Sequence, residues 1–371
     1  MTVSIQRIEN TQELLSAESE WKTFEKLSGS AVLTNCYEWI KTYWICFGNI
    51  NNEAFGSNKR LFILIIRDNG SITAIAPLVI VDRYRRVLKT RIRIKAVEFL
   101  GQQWAGLYSD IVSLKEESCL GCIIDYLMKN ERFDIIRLSY IPGFSYNFRN
   151  YEGSMRKFSI CSEISINKPY PEIVEESYSK NLRKNMKKYF NKLEKSSIRY
   201  VIKNGYKEIR AIFDEIKKVS GSKLLSDKHD NYMDDNKNRF FTELVKNMQN
   251  PYCIAFYEHD TCIAYNIGFL FNRNVYAVDG SYNRNYSNPM NISFGSLVID
   301  RTISNFAQSF STLYLGPGTD PYKFHFSRKF QYLSSFIHPG NSCMSAFYNR
   351  YFTKKIQKTE EDLENTLKEV L

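Results

Sequence analysis

One short segment combines a tight turn with an acid, a phenol, an amine and an imidazole. The turn is Gly-Pro-Gly at 316–318, and Asp320, Tyr322, Lys323 and His325 follow it. Glycine and proline let the chain bend sharply, so these side chains could converge on one reacting carbonyl. Transfer of an acyl group to an amine needs a base, a proton donor for the leaving group and donors that stabilise an oxyanion. The segment therefore predicts an acyl-transfer site.

Each of these side chains also has a structural alternative. Asp320 could act as a base or only cap a turn, and the same holds for Asp279 at the end of an earlier predicted strand. Lys323 could hold a phosphate or polarise the acyl carbonyl. Tyr322 could protonate the leaving group or stack on the acceptor. In an extended segment His325 would share the face of Lys323, but a purely structural histidine fits the sequence equally well.

A second candidate site lies where a polar loop meets a helix. The loop is predicted over 280–291, and apolar residues at helical spacing begin at Ile292. The helix start contains a single glycine, and its backbone N–H groups lack intrahelical partners and can bind an anion. The alternative is that its serines only cap the helix and its glycine only allows close packing. The residues predicted to bind the donor are Asn291, Ser293, Phe294, Gly295 and Ser296.

The elements predicted to position these residues occur twice along the chain in the same order. In the second half a three-stranded meander precedes the helix, and a strand follows it before the Pro-Gly turn. In the first half a hairpin over 61–81 precedes a helix over 118–130, and a strand over 133–140 ends in Pro-Gly at 142–143. This repeat predicts a duplicated α/β chain with domains at 1–165 and 166–371.

Composition limits the class of protein. The chain has 371 residues, 43% of them hydrophobic and 15% aromatic, which is enough for two globular domains. No apolar run approaches the roughly 18 residues of a membrane helix, and residues 1–15 do not resemble a signal peptide. Eight cysteines in aliphatic contexts are typical of a reducing compartment, and one isolated CxxC predicts no metal site. We therefore expect a cytoplasmic protein.

Positive charge is concentrated in one predicted helix. The net charge is +11, and the segment 181–210 contains ten Lys or Arg and two Glu. Within 181–195, apolar residues recur at helical spacing, so one face is apolar and the other basic. The basic face could contact RNA, an anionic lipid head group or a nucleotide-linked substrate, or it could be a solvated surface.

Several short motifs follow one another in a fixed order over some three hundred residues. They are Tyr37-Glu38-Trp39, Ala76-Pro77-Leu78, Glu98-Phe99-Leu100-Gly101, Tyr108-Ser109-Asp110, Asn181-Leu182-Arg183-Lys184-Asn185, Ser293-Phe294-Gly295-Ser296-Leu297 and Gly318-Thr319-Asp320-Pro321-Tyr322-Lys323. With these motifs, nearly the whole chain resembles the bacterial GNAT-superfamily group that includes CelD-type proteins of polysaccharide synthesis and the Fem-type aminoacyltransferases.

The resemblance implies a fold and a distribution of roles. The fold is two tandem GNAT-like domains, each a mostly antiparallel mixed sheet flanked by helices. Asp320 becomes the favoured base because the closing family signature includes it. The first domain lacks a glycine at its helix start, so we expect it to bind no donor and to face the acceptor. The residues expected to bind the acceptor are Trp104, Tyr108, Asp110 and Tyr282.

The resemblance also implies the reaction. We expect an N-acyltransferase that moves an acyl group from acyl-CoA to an amine, with an amino sugar or glycan precursor of surface polysaccharide as acceptor. One alternative is a Fem-type transferase that uses aminoacyl-tRNA, and another is a non-catalytic binding protein. Peripheral contact with an anionic, lipid-linked substrate is a further expectation for the basic helix.

Overall fold

The apolar runs of the chain become strands, and the stretches between them become helices. The computed structural model describes residues 3–51, 56–87, 90–102, 107–114, 119–224 and 235–370. In this part of the chain the strands are β1 (Val3–Ile8), β2 (Ser57–Asp68), β3 (Ser71–Val87), β4 (Thr90–Phe99), β5 (Val112–Ser113), β6 (Ile135–Pro142), β7 (Met155–Ser165), β8 (Ile198–Asn204), β9 (Pro251–Glu258), β10 (Thr261–Phe271), β11 (Asn274–Tyr282), β12 (Thr312–Pro317) and β13 (Phe330–Pro339). The α-helices are α1 (Thr11–Ser16), α2 (Glu18–Ser28), α3 (Tyr37–Phe47), α4 (Leu120–Asn130), α5 (Tyr170–Ser177), α6 (Lys180–Leu193), α7 (Gly205–Ala211), α8 (Phe213–Leu224), α9 (Asp235–Asn247), α10 (Arg284–Met290), α11 (Phe294–Phe306), α12 (Pro321–Phe326) and α13 (Ser345–Val370). None of the described helices has both the length and the apolar composition needed to cross a bilayer.

These elements form two units, each with its own set of neighbouring strands and its own apolar core. Unit 1 consists of Met1–Ile160 and Gln331–Glu369, and unit 2 consists of Cys161–Phe330 with the last two residues. The strand order in unit 1 is β1-β2-β3-β4-β6-β13, and β5 pairs with β3 outside this path. Neighbouring strands are antiparallel except β4 and β6, which run parallel and pair at Ala96 and Val97. Apolar residues of α4, among them Leu120 and Leu127, pack on this sheet.

Unit 2 repeats this arrangement of strands. Its order is β8-β9-β10-β11-β12, and residues 161–165 of β7 pair with β12. Only β11 and β12 are parallel, with Asn274–Tyr276 opposite Thr312–Tyr314. The helix α11 buries Phe294 and Leu297 against this sheet. Each unit thus has four antiparallel strands, a fifth that is parallel to the fourth, and a sixth that is antiparallel to the fifth. The predicted tandem fold of mixed, mostly antiparallel sheets flanked by helices is confirmed.

The units divide differently from the predicted domains 1–165 and 166–371. Residues 331–369 belong to unit 1, because β13 pairs with β6. The helix α13 also packs in unit 1, where Tyr348 and Phe352 share an apolar cluster with Val81 and Ile135. The sequence alone does not predict that residues 331–369 belong to unit 1. The residue pattern of a strand does not show which other strand it pairs with.

The predicted polar loop 280–291 is wrong in part. The strand β11 continues to Tyr282, and α10 follows as a seven-residue helix. Asn283 caps this helix by accepting a hydrogen bond from the Asn285 amide at 3.0 Å. A helix so short, rich in Asn and containing Pro289, has no readable apolar period.

A buried ion triad ties three strands of unit 1 together. Glu98 of β4 is 0% exposed and accepts hydrogen bonds from Arg83 of β3, at 2.7 Å from Nη2, and from Arg137 of β6. Burial alone would raise the pKa of Glu98, but the two guanidinium groups hold that pKa below its ordinary value. The triad lies beside the short parallel ladder of β4 and β6 and fixes the position of both strands.

We expect Glu98→Gln to destabilise unit 1 by about 3–5 kcal/mol, because it leaves two largely buried guanidinium groups without a counter-charge. Urea unfolding followed by circular dichroism measures this change in the free energy of unfolding. Because the folded pKa of Glu98 is lowered, its carboxylate stabilises the fold above the unfolded pKa, and this contribution is lost as the pH falls through the folded pKa. The difference between variant and parent should therefore shrink in acid.

The matched control for this prediction is Glu20→Gln. Glu20 forms a more exposed ion pair with Arg67 in the same unit, and such pairs contribute about 1 kcal/mol or less. Equal destabilisation by the two substitutions would contradict the role given to the triad.

Candidate functional site

The Gly-Pro-Gly turn ends β12 and directs the chain into α12. Gly316 and Gly318 have φ values of 73° and 113°, in the region that only glycine adopts easily. A Cβ at residue 318 would lie 3.3 Å from Asp320 Oδ2 and 3.5 Å from Lys323 Nζ. Pro321 then occupies the first turn of the helix, where its missing N–H has no cost. The turn therefore brings the acid and the amine of this segment together.

The ammonium group of Lys323 fastens the turn. Lys323 is 3% exposed, and its Nζ donates to Pro317 O at 2.7 Å and to Gly316 O at 3.2 Å. The same Nζ lies 3.1 Å from Asp320 Oδ2. An ammonium has three donors, so all three are used. This geometry gives Lys323 the part of a positioning residue and leaves none of its N–H groups for a substrate phosphate.

Tyr322 is one of the exposed side chains of α12. Its side chain is 43% exposed, and it directly precedes the buried Lys323. Desolvation of the hydroxyl raises the pKa of Tyr322, and the Asp320 carboxylate and the Tyr282 hydroxyl raise it further. The phenol therefore carries its proton at neutral pH and can donate a hydrogen bond.

The first turn of α11 contains backbone amides that, within the described residues, have no hydrogen-bond partner. Ser293 caps the helix, which was the structural alternative to a role in donor binding, and its Oγ accepts from the Ser296 amide at 3.3 Å. The first i→i−4 bond joins the Leu297 amide to Ser293 O at 3.0 Å. The N–H groups of Phe294 and Gly295 precede this bond, as in any helix N-terminus that binds an anion. Phe294 offers only its backbone, because its ring is fully buried.

Tyr282 connects this helix start to α12. A Cβ at Gly295 would lie 3.3 Å from Cε1 of Tyr282, so the missing side chain lets the ring lie against the helix start. The hydroxyl of Tyr282 also contributes to the raised pKa of Tyr322, after desolvation and the Asp320 carboxylate. The structure therefore groups five of the predicted residues, which we call the site cluster. The site cluster consists of Tyr282, Gly295, Asp320, Tyr322 and Lys323.

Lys192 supports the site cluster and was not predicted. It lies in the last turn of α6, and its Nζ donates to Met290 O at 2.7 Å and to Asn291 O at 3.4 Å. Asn291 itself has φ 50° and ends α10. Lys192 thus holds the link between α10 and α11. Nothing in its spacing distinguishes it from the other lysines of the basic helix, so sequence alone gives no signal for it.

Asp279 and His325 are placed differently from the expectation. Asp279 is inside β11, not at its end, and its Oδ2 accepts from the buried Tyr265 hydroxyl at 2.5 Å. Burial, and then Asp279, raises the pKa of Tyr265, so the shared proton stays on the phenol. His325 lies in a helix, so it does not share a face with Lys323 as an extended segment would require. Its carbonyl accepts from the Ser179 amide at 2.8 Å, at the start of α6.

The residues assigned to the acceptor in the first half lie inside unit 1. Tyr108 is 1% exposed and packs edge-on against Phe144 at 5.4 Å. Asp110 is buried and accepts from Ser145 Oγ at 2.8 Å; its burial raises the pKa of the carboxyl to about 7. Both therefore have structural partners within unit 1. The predicted Trp104 lies outside the described residues.

A side chain bridges the parallel strands of unit 1 beyond their ladder. Gln102 Oε1 accepts from the amides of Phe99 at 3.2 Å and Ser139 at 3.0 Å, and its Nε2 donates to Arg137 O at 3.1 Å. Gln102 is 2% exposed, so it occupies the space between the ends of β4 and β6. In the described part of the chain, no group of three or more His, Cys, Asp and Glu side chains is arranged to hold a metal ion.

Part of the chain matches a known protein family. Residues 180–324 match the family described as an acetyltransferase (GNAT) domain, and this range contains the whole site cluster. No curated protein matches the chain significantly in sequence.

Three solved structures are similar to the chain over most of its length. FemX has 11% identity and a TM-score of 0.57, covering 93% of this chain and 100% of its own. A conserved protein of unknown function from Bacteroides thetaiotaomicron has 7% identity and a TM-score of 0.51, and the match covers 90% of this chain and 100% of that protein. L-PGS from Bacillus licheniformis has 10% identity and a TM-score of 0.50, and the match covers 90% of this chain and 96% of that protein. At these identities the similarity shows the fold alone.

The resemblance indicated by the sequence motifs is thus confirmed by the family match and by the shared fold. Residues 180–324 are thus similar to an acetyltransferase (GNAT) domain, and the chain as a whole shares its fold with FemX.

Proposed function

We propose that unit 2 transfers an acyl group from acyl-CoA to the amine of an amino sugar or related glycan precursor. The observation that carries this proposal is the site cluster, in which Tyr282 links an anion-binding helix start to a protonated phenol. The amides of Phe294 and Gly295 are suited to the pyrophosphate of the donor. Acyl-CoA use is the general property of the fold, and the amino-sugar acceptor rests on the resemblance to proteins of polysaccharide synthesis.

The proposed roles follow from exposure and charge. The amine nitrogen attacks the thioester carbonyl, so that a C–N bond forms and the C–S bond breaks. Tyr322 gives its proton to the leaving sulfur, since it is an exposed phenol that is protonated at neutral pH. The side chain of Asp320 is 58% exposed and can accept a hydrogen bond from the amine and orient it. The proton that the amine loses passes to solvent and restores the phenol. Lys323 holds the turn that carries both groups.

One observation favours a second candidate, an aminoacyl-tRNA-dependent transfer. The basic helix predicted over 181–195 forms as α6, with Leu182 and Met186 buried and Lys184, Lys187 and Lys188 exposed. Such a face could hold RNA phosphates, and the chain shares its fold with FemX. Lys192 of the same helix is instead engaged with the loop carbonyls. The exposed lysines are therefore the residues that distinguish the two donors.

We expect Gly295→Glu to weaken CoA binding by at least about tenfold, because a carboxylate at the helix start repels the pyrophosphate. Isothermal titration with acetyl-CoA measures this loss. Gly295→Gln separates bulk from charge and should weaken binding less. In Gly295→Ala the added methyl meets only the edge of Tyr282 at 3.3 Å, so binding should stay close to that of the parent. Unchanged affinity in folded Gly295→Glu would place the donor elsewhere.

We expect Tyr322→Phe to lower kcat by roughly a hundredfold with little change in KM, because it removes the proton donor and keeps the ring. Lys323→Met should lower both kcat and the melting temperature, because it leaves the carbonyls of Gly316 and Pro317 without their donor. Steady-state kinetics together with thermal unfolding separates these two effects. Tyr206→Phe, at another exposed tyrosine of unit 2, is the control. Normal turnover of Tyr322→Phe would remove the phenol from the chemistry.

We expect the triple substitution of Lys184, Lys187 and Lys188 by Glu to leave transfer from acetyl-CoA to an uncharged amine within about threefold of the parent, because salt and water screen exposed charges. A tRNA-dependent enzyme would instead lose activity, and binding of charged tRNA to the parent would fall steeply with salt. Measuring both donors with both proteins decides between the candidates.

A further inference from the structure

The last helix of unit 1 divides its charge along its length. The first half, 345–358, contains four Lys or Arg and no acid, whereas the second half, 359–370, contains five acids and one lysine. A helix that only covers a core has no need of such a division. The basic half of α13 is therefore a surface with a definite electrostatic preference.

The basic half also exposes aromatic side chains. Tyr348 and Phe352 face the core and are each 4% exposed. Phe347 and Tyr351 point the other way and are 47% and 36% exposed, and Met344, just before the helix, is 42% exposed. Arg350 and Lys354 are also exposed and fall on the same side of the helical wheel. We call these residues the α13 patch. The α13 patch consists of Met344, Phe347, Arg350, Tyr351 and Lys354.

The exposed rings are held in place, and the cations are available. Phe347 packs edge-on against Tyr348 at 5.6 Å, and Tyr351 packs edge-on against Phe352 at 5.3 Å. Within the described ranges of the chain, neither cation of the α13 patch has an ion-pair partner. The patch is therefore a preformed surface with unused positive charge.

A further basic residue lies beside the patch. The hydroxyl of Tyr348 donates to Arg93 O at 3.4 Å, which brings the start of α13 next to β4. The side chain of Arg93 is 61% exposed, and its Nη1 lies 3.8 Å from Asp82 Oδ2. Strand β4 thus adds a cation with one carboxylate partner near the start of α13, on the side of Tyr348.

We propose that the α13 patch docks unit 1 on an anionic lipid surface. Aromatic rings and methionine insert at the level of the head groups, while Lys and Arg reach the lipid phosphates. The acidic half of α13 would be repelled from such a surface, so only the first turns of the helix lie on it. This role is independent of the transfer reaction, and it would bring the enzyme to the place where lipid-linked acceptors are found.

Co-sedimentation with vesicles tests the proposal on the full chain. Vesicles made from equal parts of phosphatidylglycerol and phosphatidylcholine should bind the protein, and vesicles of phosphatidylcholine alone should bind it much less. Each Lys or Arg near the surface contributes about a fivefold change in partition, and raised salt should weaken binding. Phe347→Ser combined with Lys354→Gln should therefore reduce binding by at least about tenfold.

The matched control is Tyr206→Ser combined with Lys207→Gln, an exposed aromatic and lysine on α7 of unit 2. It should bind the anionic vesicles as the parent does. Thermal unfolding should show both double variants folded, since all four side chains are exposed. No binding of the parent to anionic vesicles, or equal losses in the two variants, would overturn the proposal. So would a dimer of the parent, seen by light scattering, that the α13 variant dissociates without any change in vesicle binding.

Discussion

The buried ammonium of Lys323 is the interaction on which the candidate site depends. An ammonium removed from water must use all its donors, and here two go to the carbonyls of Gly316 and Pro317 and one faces Asp320. Those carbonyls can turn toward it because the two glycines of the turn take positive φ values. The lysine therefore sets where β12 ends and where α12 begins. Tyr322 owes its position to this arrangement, as does the contact between His325 and the start of α6.

The two units share one arrangement of strands but differ in the polar groups beside their parallel ladders. In both, a short parallel ladder joins the fourth and fifth strands. In unit 1 the space beyond the ladder is closed by Gln102, and the ladder is braced by the ion triad around Glu98. In unit 2 a helix with free first-turn amides and a fastened turn lie in the same domain as the ladder. The polar groups described in unit 1 thus stabilise its core, whereas in unit 2 the exposed Tyr322 and the first-turn amides of α11 are the groups proposed to meet a ligand.

The parts of this structure that the sequence predicts are those set by local patterns. The apolar run at Leu61–Ile66 gives a central strand, and Ser293 caps α11, because hydrophobic period and capping are local properties. The helix α12 was missed because six residues are too few to show a period. Lys323 was expected to meet substrate, since a sequence does not show that a lysine will be buried by its own turn. The return of residues 331–369 to unit 1 depends on a long-range pairing that no local pattern encodes.

Hydrogen–deuterium exchange of the full chain with and without acetyl-CoA tests the central claim most directly, that unit 2 alone holds the donor at the site cluster. Bound ligand slows the exchange of the amides it covers or orders. The account predicts slower exchange at 293–297 and 316–323, with no change at the equivalent segments 119–123 and 142–148 of unit 1. Protection confined to unit 1, or the absence of protection at 293–297 under saturating acetyl-CoA, would contradict it.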